Sequence, residues 1–100
     1  MPINVLQLIL QQSSLEVASR CVNQVEIDKL LQSLPTLSLT QRILVLLLLE
    51  KPKACYVFNL LEREQQTQMF EAMEISEKLW LLEALETDFQ DSLNHKNFNS

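Results

Sequence analysis

The side chains with chemical capacity in this 100-residue chain are mostly carboxylates. Glu71, Glu74, Glu83, Glu86, Asp88 and Asp91 could supply oxygen ligands to a hard cation such as Mg²⁺ if several of them converged at an interface. The stretch lacks the Asp-x-Asp-x-Asp-Gly order of a calcium loop, and Mg²⁺ keeps much of its own water. Exposed, solvated charge is the simpler expectation, and no metal site is assigned. His95 is the single histidine and lies in the polar stretch SLNHKNFNS, where no neighbour suits the role of acid or nucleophile. Cys21 and Cys55 are not a close-spaced metal pair and read as reduced core thiols. Cys55 sits in KACYVFNLL, among apolar neighbours that would bury it and leave it inert. Glycine is absent, so neither a nucleophile elbow nor a phosphate-cradling loop can be built. The expected chain is not an enzyme, with no catalytic residue and no cofactor.

Trp80, Phe89 and Phe98 are the candidates for contact with a partner. An aromatic ring with one accessible side buries a large area at low entropy cost, which favours interfaces. Trp80 directly precedes the apolar pair Leu81-Leu82 and is expected to flank the core with part of its indole exposed. Phe89 and Phe98 are expected near the end of the chain, where a stack of helices must present something other than bare core.

Charge narrows the partner class. The net charge is −5, and residues 50 to 91 carry ten acids against four bases, whereas residues 1 to 49 carry three of each. Neutralising phosphates needs clustered Lys and Arg, so nucleic acid is excluded as a partner. The opening MPINVLQLIL lacks the basic start and small-residue cleavage site of a signal peptide, and a cytoplasmic location is expected. The seven apolar residues Ile43 to Leu49 are closed by Arg42 and by Glu50-Lys51-Pro52, far short of the ~20 that a spanning helix needs. Coiled as a helix, that run is greasy on every side and must be surrounded by other helices.

The elements that hold these residues are helices. Leucine, glutamine and glutamate dominate, and all three favour helix. Ser13 with Glu16, Asn23 with Glu26, and Ser38 with Gln41 have the spacing of capping boxes. Pro35 should end the helix that begins near Gln24, Pro52 should open one running through Leu61, and Ser76 should cap EKLWLLEAL. Val45-Leu46 with Leu49, Val57-Phe58 with Leu61, Met69-Phe70 with Met73, and Leu81-Leu82 with Leu85 repeat at a period of twelve. Leu30-Leu31 with Leu34 reads as an earlier copy displaced by three. Glu50, Glu62, Glu74 and Glu86 follow each apolar set at one phase. A unit of twelve holds one short helix and a tight connection, marginal alone and stable only against neighbours. The expected fold is all-α, a compact superhelical stack of six to eight short antiparallel helices. Residues 1–92 would form a single helical-repeat domain and 93–100 a disordered polar tail. Val5-Leu6 with Ile9 fits the unit, while the alternation of Ile3 and Val5 would also suit an edge strand.

From Asn23 to Leu85, the segments QVEIDKLLQSL, LTQRILVLLLL, KPKACYVFNLL, EREQQTQMFEAM and EISEKLWLLEAL carry a resemblance. The chain resembles the helical-repeat intracellular N-terminal domain of MgtE-type magnesium transporters and, more distantly, the middle domain of the flagellar switch protein FliG. The resemblance implies a superhelix of short antiparallel helices and, in the transporters, a cytosolic regulatory role tied to magnesium. The paired nucleotide-binding-like modules and membrane helices that follow in those transporters are not in this sequence, so a stand-alone role is expected. That role is a small adaptor or regulatory subunit binding another protein, with self-pairing into a homodimer as part of the same idea. The alternative is a magnesium-responsive sensor acting on a separate transporter or enzyme.

Overall fold

Helices in this chain start and stop on a fixed beat. The computed structural model describes residues 5–11 and 14–98, with side chains through residue 86. These residues form α1 (Val5–Leu10), α2 (Leu15–Gln24), α3 (Ile27–Ser33) continued by a 3₁₀ turn (Leu34–Thr36), α4 (Leu39–Leu48), α5 (Lys51–Leu60), α6 (Arg63–Ala72) and α7 (Ile75–Phe98). No strand occurs among the described residues, and Val5 opens a helix. The all-α expectation holds, with seven helices among the described residues. One element departs from it: α7 has 24 residues where its predecessors have at most ten.

Each short unit ends the same way. Val25, Leu37, Leu49, Leu61 and Met73 leave the helix in extended backbone, with ψ between 134 and 158°. Their N–H groups donate back to the carbonyl three residues earlier, at 3.0 to 3.3 Å, which satisfies one orphan carbonyl per helix end. The following residue, Glu26, Ser38, Glu50 or Glu62, is extended too, and its carbonyl accepts the first bond of the next helix. Two extended residues therefore turn the chain with no left-handed position, and no described residue has positive φ. That is why a chain without glycine can make so many turns. The closing residue does a second job, because Leu37, Leu49, Leu61 and Met73 turn their side chains into the core.

The caps follow this beat more strictly than the spacing rules anticipate. Ser38 makes the expected box, accepting from Gln41 N–H at 3.2 Å while the Gln41 side chain accepts from Ser38 N–H. Ser13 lies outside the described residues; the hydroxyl capping α2 is that of Ser14, which accepts from Val17 N–H at 3.4 Å. Asn23 is no cap, because it sits inside α2 and Glu26 takes the boundary of α3. Ser76 is likewise inside the first turn of α7, and the boundary falls at Glu74, whose N–H donates to the Glu77 carboxylate at 2.8 Å. Boundaries therefore recur at 14, 26, 38, 50, 62 and 74, a period of twelve without the displacement expected near Leu30. Pro35 explains the apparent shift. It ends α3 at Ser33 and draws the rest of the unit into the 3₁₀ turn, leaving the unit length unchanged.

Packing runs between units two apart. One row holds α1 on α3, α3 on α5 and α5 on α7; the other holds α2 on α4 and α4 on α6. The rows meet where α1 packs on α2 and through α4, which also packs on α1 and α5. Contact on so many sides explains Ile43 to Leu49, where Ile43, Val45, Leu46 and Leu49 are buried and the rest partly so. Polar side chains bolt the same junction. Asn23 donates to the carbonyls of Ser19 (2.7 Å) and Leu48 (3.1 Å) and accepts from Glu50 N–H at 2.8 Å. The Ser19 hydroxyl also donates to Leu48 O, and the Lys53 ammonium reaches the carbonyls of Asn23 and Val25 at 2.7 Å each. The backbone groups left over at the end of α2 and at the α4–α5 turn are thereby paired.

Candidate interaction site

The first half of α7 is where the repeat stops covering itself. Ile75, Leu79 and Leu82 stand at i, i+4 and i+7, one stripe of a helix, and are 78, 61 and 49% exposed. Leu82 holds the same place in its unit as Leu46, which is 1% exposed, and Phe58, which is 7% exposed. Phe70, the copy between them, is half-buried. Beside Leu82 a groove of about 310 Å³ opens between α5, α6 and α7, lined by Phe58, Gln66, Thr67, Phe70, Glu71 and Leu85. The Lys78 ammonium stands 5.3 Å from the centre of the Phe70 ring, a cation–π contact on the same ring. A second groove of about 330 Å³ runs between α4 and the α6–α7 turn, bounded by Leu39, Ile43, Leu44, Leu47, Ala72 and Glu77 among others.

The electrostatic setting is acidic. Residues 62–86 carry seven acids (Glu62, Glu64, Glu71, Glu74, Glu77, Glu83, Glu86) against Arg63 and Lys78. Glu83 is drawn to Lys51 at 3.2 Å, an ion pair exposed on both sides. Glu71, Glu74 and Glu86 are exposed. Among the described residues no three His, Cys, Asp or Glu side chains gather as a metal site would require. The side chains of Asp88, Asp91 and His95 lie outside the described residues. Cys55 is buried and Cys21 half-buried, and neither is in a disulfide.

Of the three aromatic contact candidates, Trp80 packs half-buried against the core, while the side chains of Phe89 and Phe98 lie outside the described residues. The stripe that the structure presents is formed by Trp80's neighbours instead. Leu82 was hidden by its membership in the repeated triplet, which suggests burial. Ile75 and Leu79 fall off the triplet's phase, and that was the available signal: an apolar pair outside the repeating core positions of a terminal unit.

A family model described as the MgtE intracellular N domain matches residues 23–93. The chain belongs to that family. Comparison with curated proteins and with solved structures found no match. The part that matches the MgtE N domain begins at Asn23, the residue bolting α2 to the α4–α5 turn, and contains every residue lining the two grooves. No helix among the described residues is long and apolar enough to cross a membrane.

Proposed function

We propose that this MgtE N-type domain is a non-enzymatic adaptor or regulatory module of the cytoplasm that binds a partner protein through the open end of its stack at α6 and α7. The observation that carries this reading is the exposed stripe Ile75, Leu79 and Leu82 beside an apolar groove, in a chain whose other triplet positions are largely covered. Contiguous exposed apolar surface of this kind marks interaction sites in soluble proteins. Family membership supports the regulatory part, and the description of the family as an intracellular domain supports the compartment. The test is chemical cross-linking in native extract, comparing the wild type with a Leu79→Asp variant. The expected result is one dominant partner band lost in the variant, with circular dichroism and thermal midpoint unchanged. Retention of that band in Leu79→Asp rejects this surface.

A second reading, a magnesium-responsive sensor acting on a separate transporter or enzyme, is favoured by the same family and by the acidic residues 62–86. A ligand preferring the folded state raises its stability by about 1.4 kcal/mol at about ten times Kd. Thermal unfolding in increasing MgCl₂, with CaCl₂ and NaCl as controls, should then show a midpoint rising with Mg²⁺ specifically. No rise at millimolar Mg²⁺ removes this reading and leaves the first intact.

A further inference from the structure

The two-row packing rule defines a place beyond α6 that none of the described helices takes. In one row α2 is covered by α4 and α4 by α6; among the described residues no further helix of that row lies on α6. Leu85-Glu86 is in phase with Leu49-Glu50, Leu61-Glu62 and Met73-Glu74, each of which turns the chain. At 85–86 the backbone stays helical and α7 runs on to Phe98, so the following residues do not reverse to lie along α6. The groove of Phe58, Phe70, Leu82 and Leu85 opens between α5, α6 and α7, and Leu82 is half exposed in it.

Building on the proposed partner-binding role, we infer that this groove seats a cationic amphipathic helix of the partner, in the place beyond α6 that no described helix takes. The apolar floor fits a helix presenting aliphatic side chains at i, i+3, i+4 and i+7. The charge fits one whose other face carries Lys and Arg, because Glu71 lines the groove and residues 62–86 hold seven acids against two bases. A second copy of this chain is the poorer occupant, since pairing the surface with itself would set acid against acid.

The probe is a synthetic helical peptide about four turns long, with Leu at the i, i+3, i+4, i+7 positions and Lys on the remaining face. A second peptide replaces each Lys by Glu. Fluorescence anisotropy with the full chain should show the Lys peptide binding at least about tenfold more tightly than the Glu peptide, and weakening as salt is raised past about 0.3 M. Leu82→Lys should abolish binding, while Leu15→Lys, an exposed position at the other end of the stack, should leave it unchanged. Glu71→Lys should narrow the preference between the peptides severalfold. Equal binding of both peptides, or binding that survives Leu82→Lys, overturns the inference. So does a concentration-dependent dimer in sedimentation that Leu82→Lys dissolves, for then a second copy fills the groove. A native partner still lost in Leu79→Asp while the Lys peptide fails to bind would leave the proposed function standing and this inference rejected.

Discussion

The unit centred on α4 and the unit opening α7 are built to one pattern and end in opposite conditions. Both place an apolar pair and a following leucine at the same phase: Val45-Leu46 with Leu49, and Leu81-Leu82 with Leu85. In α4 all three are buried; in α7 only Leu81 is. The difference lies in the neighbours. Among the described residues four helices pack on α4, whereas α7 has α5 as its chief support. A repeated sequence therefore encodes the ability to be buried, and burial itself depends on whether another unit arrives.

The sharpest way to break that comparison is to truncate the matched leucines. Leu46→Ala removes a fully buried side chain and should lower stability by about 2–5 kcal/mol, whereas Leu82→Ala should change it by less than about 1 kcal/mol. Urea unfolding of the two variants measures both; similar losses would mean that α7 is covered in solution. Asn23→Ala comes next, because it removes the bridge from α2 to Leu48 and Glu50, leaving Leu48 O to the Ser19 hydroxyl and the Glu50 N–H to solvent. A loss of about 2 kcal/mol is expected, with faster amide exchange at Glu50. Ser38→Ala opens the full capping box of α4 and should cost about 1 kcal/mol, while Ser14→Ala, whose bond is longer, should cost less. The smallest effect belongs to the open end. Lys51→Ala breaks an ion pair exposed on both sides, so a change within about 0.5 kcal/mol is expected, shrinking further in high salt.

Much of the fold was legible in the amino-acid order. Helix type, the buried run Ile43 to Leu49, the cap at Ser38 and the twelve-residue period all follow from local propensity and spacing, which act within a few residues of each other. The readings that failed share a cause. Asn23 and Ser76 have the side chains of caps, yet the repeat places the boundaries at Glu26 and Glu74, and Asn23 instead serves residues 25 to 27 positions away. Local rules cannot see such a bond. The candidate site was legible only in part: Trp80 pointed to the correct helix, but the exposed stripe is Ile75, Leu79 and Leu82.

The sequence by itself determined that short helices alternate with two-residue extended turns, because an apolar residue followed by glutamate or serine needs no glycine to leave one helix and begin the next. Only the tertiary structure decided which copies of the apolar triplet are hidden. The dipeptide Leu85-Glu86 has the composition of a turn, but turning is stabilised by a following unit that folds back onto the stack, and here the helix continues. Exposure at Leu82 is thus set by which helices pack on α7, and no residue type at position 82 could have announced it.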